Sequence, residues 1–124
     1  EAEQWLKTRH AWAFETLTKG AQGLNASLPE CLECHTVGSG TPGGYLNRKH
    51  TGHLGGVQCE SCHGEGRQHA EAASQKKPSA HLIKASVPER VCLKCHTSDR
   101  CPNFKYQREV RLVVHKAVSG TGRP

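Results

Sequence analysis

The first twenty residues carry an apolar stripe at helical spacing. Leu6, His10, Ala13, Phe14 and Leu17 fall at i, i+4, i+7, i+8 and i+11. Trp5 and Trp12 widen the stripe, and Gly20 and Gly23 end it. A second stripe of Tyr106, Val110, Val113, Val114 and Ala117 predicts a helix over 104–118, frayed by Gly120 and Gly122. Between the two, residues 38–56 hold seven glycines and Pro42 and read as a loop. Those glycines suit a flexible linker, or a backbone that must approach a flat group closely. Residues 64–80 are polar and read as loop with a helical piece. Strand signals are almost absent. The expected fold is mainly α: short helices and long loops, with little or no sheet.

Two inner segments resemble each other. Residues 27–36 read SLPECLECHT and residues 86–97 read SVPERVCLKCHT. In each, Ser is followed by Pro and then by Glu at the third position, the pattern of a capping box with Pro in the first turn. Each predicted cap leads into Cys-x-x-Cys-His-Thr, so short, separately capped helices are expected to present these groups. The weak repeat suggests one binding unit used more than once.

Composition sharpens that suggestion. The chain has 124 residues, enough for one domain over 1–124, yet only 35% are hydrophobic and 5% aromatic. Side chains alone make a poor core here, and something else is expected to fill the middle. Seven cysteines exceed ordinary usage, and an odd number is not a closed set of internal disulfides. Nine histidines beside them point to metal or haem.

The cysteines resolve into three copies of Cys-x-x-Cys-His: Cys31/Cys34/His35, Cys59/Cys62/His63 and Cys92/Cys95/His96. This is the attachment signature of c-type haem, in which two thiols join the vinyl groups and the adjacent His becomes the proximal iron ligand. From the chain's own Cys and His frequencies, chance supplies roughly 0.03 copies. Zinc would need the pairs to combine four ligands at a time, which three pairs with attached histidines do not do. A thioredoxin-like site needs a βαβ context that is absent. Three haem c groups are therefore expected, and their propionates bring about −6, offsetting the chain's formal +6. The basic balance then says little for nucleic acid, which is not an expected partner.

The sixth iron ligand separates a carrier from an enzyme. The chain has no Met, so histidine is the default and low potentials follow. His10, His50, His53, His69, His81 and His115 remain once the three motif histidines are assigned. His10 lies on the first apolar stripe, where an imidazole is either a core histidine or, in a haem protein, an axial ligand. For the haem at His35 the choices are His50, His53 and His115, and a closed site is expected, with His53 slightly ahead because it lies nearer Leu54 and Val57. Cys101 is left over, and is expected to be a buried small apolar residue, or else to form an intermolecular disulfide or react as a thiol with a partner.

The segments HAWAFETL, CLECHTVGSGTPGGY, GGVQCESCHGEGRQH and CLKCHTSDRCPNFKY together resemble the tetrahaem cytochrome c family typified by an electron acceptor of hydroxylamine oxidoreductase. The resemblance spans nearly the whole chain. It implies a helical, haem-packed fold and periplasmic electron transfer with largely bis-histidine haems. It implies His10 and His69 as distal ligands of the haems at His63 and His96 respectively. It also matches His35 to the family position that is five-coordinate in the founding member. Two departures stand out. The family's further Cys-x-x-Cys-His before the His10 helix is missing, which makes the chain a trihaem variant or a piece of a longer protein. Cys101 stands where the family usually has Ser before Pro.

The leading expectation is an electron carrier with redox partner proteins, periplasmic or extracellular, and more an electron carrier than an enzyme. A small reductase acting on a nitrogen or sulfur oxide at an open iron is the alternative. A third is a module that self-assembles or joins a larger multihaem complex. No apolar run reaches the length of a membrane span, and no signal peptide is visible at the polar start, Glu1-Ala2-Glu3-Gln4.

Overall fold

The computed structural model describes residues 2–115. Helix α1 (Ala2–Trp5) is followed by a 3-10 turn (Arg9–Trp12), α2 (Ala13–Lys19), a second 3-10 stretch (Ala21–Ser27) and α3 (Pro29–His35). Then come α4 (Arg48–Thr51), a 3-10 turn (Gly52–Leu54), α5 (Cys59–His63) and α6 (Arg67–Ser74). A 3-10 turn (Ala80–Leu82), α7 (Glu89–Cys92), α8 (Tyr106–Glu109) and a last 3-10 turn (Val110–Leu112) complete the described chain. The only β pairing among the described residues is an isolated antiparallel bridge between Thr36 and Gly55. The mainly α expectation holds.

The first predicted helix is real but broken. Thr8 is extended, and its hydroxyl and its amide both donate to the Trp5 carbonyl, each at 2.8 Å. A threonine side chain competing for backbone groups stops the helix there. Trp5 and Trp12 turn their indole N–H groups to the carbonyls of Val57 (2.8 Å) and Leu6 (2.9 Å), so both act as bolts as well as apolar surface. Leu6, assigned to the stripe, is 48% exposed. Ala11, Phe14 and Leu17 carry the burial instead.

Neither predicted capping box forms. Leu28, not Ser27, is the N-cap of α3, because Ser27 closes the preceding 3-10 stretch and donates back to the Leu24 carbonyl at 3.0 Å. Pro29 does occupy the first turn of α3, as expected. In α7 the N-cap is Pro88 itself, with no side-chain cap. The third motif is accordingly half helix and half turn: Cys92 ends α7, and the amides of Cys95 and His96 both donate to the Cys92 carbonyl. The predicted helix over 104–118 shrinks to α8 and one 3-10 turn, with Val114 67% exposed, and its part from 116 on lies outside the described residues. The glycine-rich loop contains helical pieces, α4 and Gly52–Leu54, that carry His50 and His53.

The core is small and lies in the first half of the chain. Phe14, Leu17, Leu32 and Tyr45 form it, with Ala26, Cys31 and Leu54 packed against it. Phe14 and Tyr45 meet with ring centres 5.2 Å apart. Among the described residues every buried one falls at or before Gly56, and residues 57–115 contain none. Residues 57–115 hold two of the three motifs and, among these described residues, have no side-chain core of their own.

Backbone bonds lock the loop after α3 onto the first segment. The Gly56 amide donates to the His35 carbonyl and the Val57 amide to the His10 carbonyl, both at 2.9 Å. Gly56 is left-handed (φ +86°), and a Cβ there would lie 2.6 Å from the Ala11 carbonyl oxygen. Only glycine fits that approach, and the approach ties the positions of His10 and His35 to one another.

Candidate haem centre

Each motif histidine has a partner behind its ring. His35 Nδ1 lies 2.6 Å from the Ala13 carbonyl oxygen, with the Thr16 hydroxyl at 3.4 Å. His63 Nδ1 lies 2.5 Å from the Lys84 carbonyl oxygen. The same two residues are joined again by a bond from the Lys84 amide to the His63 carbonyl. His96 Nδ1 meets the Cys101 sulfur at 3.3 Å, and Phe104 stacks on the ring with centres 4.4 Å apart and planes 14° apart. With Nδ1 held from behind, Nε2 is the nitrogen left for a metal. This is the usual way a protein orients a histidine ligand.

Two motif imidazoles face a second imidazole. His10 and His96 have ring centres 6.0 Å apart, and His63 and His115 have theirs 5.7 Å apart. Two imidazoles on opposite sides of one metal ion, each nitrogen about 2.0 Å from it, have ring centres about 6 Å apart. Burial, and then the neighbouring His96, lower the pKa of His10 and favour the neutral ring that a ligand requires. His115 Nδ1 is buried with no hydrogen-bond partner. Such a nitrogen costs about 1–3 kcal/mol unless something satisfies it.

The other candidates stand apart from these pairs. His69, on α6, is half-buried and its Nδ1 lies 2.8 Å from the Ser79 carbonyl oxygen. His50 is exposed, its Nδ1 2.9 Å from Asn47 Oδ1, and His53 is exposed on the next turn. His81 is also exposed. Among the described residues no imidazole is in ring contact with His35. The pairing implied by the resemblance, His10 with His63 and His69 with His96, differs from the ring contacts, which join His10 to His96 and His63 to His115.

The three motifs converge. The Cys95 thiol is hydrogen-bonded to Cys34 and lies near Cys62, and Cys62 in turn lies near Cys92. Burial raises the thiol pKa of Cys62 and Cys92, and burial with the Cys34 contact pushes Cys95 up to about 12. All seven cysteines are free, and Cys101 is half-buried rather than fully buried. Among the described residues no group of three or more His, Cys, Asp or Glu gathers as a metal-ion cage. The donor set is thus free thiols beside anchored histidines, with two pairs of imidazoles whose ring centres lie 6.0 and 5.7 Å apart. It fits covalently attached haem.

The sequence did not reveal the partners behind the rings. Ala13, Lys84 and Ser79 act through carbonyls, which every residue carries, so no residue-type signal exists for them. Cys101 and Phe104 lie five and eight positions past His96 around a turn. The unpaired cysteine was the one visible hint.

Comparison with known proteins agrees with this geometry. A family model described as cytochrome c554 and c-prime matches residues 1–64, just over half of the chain. Cytochrome c-554 of Nitrosomonas europaea is 33% identical over 121 residues, covering 77% of this chain and 52% of the relative. The chain therefore spans about half the length of the curated relative it matches. No solved structure matches. No helix among the described residues is long and apolar enough to cross a membrane. From its motifs, its anchored imidazoles and this match, the chain belongs to the cytochrome c554 and c-prime family.

Proposed function

We propose that the chain, as one domain over 1–124, is a trihaem electron carrier, with haem c joined through Cys31/Cys34, Cys59/Cys62 and Cys92/Cys95. Its proximal ligands are His35, His63 and His96. The observation that carries the reading is the convergence of the three motifs on one another through Cys34, Cys95, Cys62 and Cys92. Bound haem supplies an Fe(III)/Fe(II) couple. The chain's own residues hold the irons, orient the imidazoles and keep the three attachment points adjacent, so that an electron entering at one can leave at another. The absence of Met and the supply of histidine place the potentials low. Redox proteins are the partners, and the family relationship supports a periplasmic or extracellular setting. Intact mass is the test: the holoprotein exceeds the chain mass by three haems. Two haems, or zinc, would falsify the reading.

The ring separations support His10 as the distal ligand of the His96 haem and His115 as that of the His63 haem. His10→Ala is expected to turn one low-spin ferric haem high-spin, read in the visible spectrum. An unchanged spectrum makes His10 a core histidine. The reductase alternative attaches to His35 alone, where no second imidazole makes ring contact among the described residues.

A further inference from the structure

The three proximal imidazoles do not share the same kind of partner. An imidazole bound to iron through Nε2 carries its proton on Nδ1, so the Nδ1–H donates in all three motifs. His35 and His63 donate to peptide carbonyls at 2.6 and 2.5 Å. His96 Nδ1 lies 3.3 Å from the Cys101 sulfur, which would accept its proton once Nε2 holds iron. A carbonyl oxygen is a strong acceptor and a thiol sulfur a weak one. A strong acceptor makes the ligand more basic and favours the more positive iron; a weak one does so less.

The contact is built into the chain. The Cys101 amide donates to the Thr97 carbonyl at 2.8 Å, and the Phe104 amide to the Cys101 carbonyl at 2.9 Å. This tight turn returns two groups to one imidazole, the sulfur at its Nδ1 and the Phe104 ring on its face. Phe104 fixes the plane of the ring and Cys101 fixes its rotation within that plane. Cys101 is the one cysteine that no attachment motif uses.

We propose that Cys101 is a positioning residue for the His96 haem, and that its weak acceptor sulfur holds the potential of that haem above the value a backbone carbonyl partner would give. The proposal rests on His96 being the proximal ligand of an attached haem. Among the three proximal partners, Cys101 is thus the one that favours the reduced haem.

The test is potentiometric titration of the holoprotein and two variants, each first weighed for its haem content. Cys101→Ser supplies a harder, shorter-reaching acceptor and should lower one of the three couples. The reduced-to-oxidised ratio of that haem should fall about tenfold at fixed applied potential, about 59 mV for one electron. Cys101→Val removes the acceptor and should move the same couple upward; Cys101→Ala takes its place if the valine variant does not load three haems. One couple moving in these opposite directions, with the other two still, is the expected result. No movement, movement of all three couples together, or movement in the same direction in both variants overturns the role of Cys101. A wild-type mass with fewer than three haems overturns instead the reading on which it rests.

Discussion

Replacing Cys92 and Cys95 by alanine should unfold most of residues 57–115 while leaving the first 56 residues folded. The Phe14, Leu17, Leu32 and Tyr45 core lies wholly in the first part, with α2 and α3 packed around it. The second part has no buried residue among its described positions. Ordering a residue costs about 1–2 kcal/mol of backbone entropy, and half-buried valines and leucines do not return that over so long a segment. Attached haem is what can supply the missing apolar contact. Cys95 is hydrogen-bonded to Cys34 and lies near Cys62, so the third motif adjoins both of the others. Deleting one buried aromatic side chain costs about 3–5 kcal/mol, and a haem is larger than any side chain. Amide exchange across 57–115 should therefore speed up by at least about a hundredfold relative to the parent, with residues 9–56 changing far less. Hydrogen exchange read by peptide mass, on a variant confirmed to hold two haems, gives the answer. Unchanged protection across 57–115 would mean that the polypeptide holds this segment without help.

The same asymmetry explains which features were legible in the sequence. The attachment motifs were, because thioether and ligand chemistry depends on a five-residue spacing within one or two turns. The poverty of the core was legible in composition, although not that the small core lies wholly in the first half. The capping boxes were not, because the hydroxyl of Ser27 is taken by the preceding turn at Leu24. The break at Leu6–Thr8 comes from Thr8, whose hydroxyl donates to the Trp5 carbonyl, and the apolar periodicity that runs through Leu6 and His10 masked it. Imidazole pairing was the least legible feature. His10 and His96 lie near opposite ends of the described chain, and nothing local in either segment points to the other. The resemblance supplied a pairing, and the ring contacts join the imidazoles differently. Periodicity did place His10 correctly on the inward side of its segment: the ring is half-buried, and Ala11, Phe14 and Leu17 around it form the buried face.

Carbon monoxide should bind about one haem in three of the fully reduced protein, the one at His35. His53 and His50 were the expected distal ligands from the loop, with His53 ahead. Both are exposed, and His50 turns its Nδ1 to Asn47 on its own helix. His115, the third choice, is in ring contact with His63. His35 itself is well anchored from behind by the Ala13 carbonyl, so its Nε2 is set for iron whether or not a second imidazole arrives. Of the three motif histidines it alone lacks an imidazole in ring contact among the described residues. A bis-histidine iron excludes carbon monoxide, and an iron with an open sixth position binds it. Titration with carbon monoxide should thus saturate at about one equivalent per chain, and His35→Met should abolish or shift the signal. His10→Ala should raise the count to about two by opening the iron at His96, which places the two sites on different haems. Saturation near zero in the parent protein would show that a histidine closes the His35 iron, and the reductase alternative would lose its site. Saturation near one keeps that alternative alive, and then the reduced protein should be mixed with small nitrogen and sulfur oxides to see which of them reoxidises it faster than the His35→Met variant.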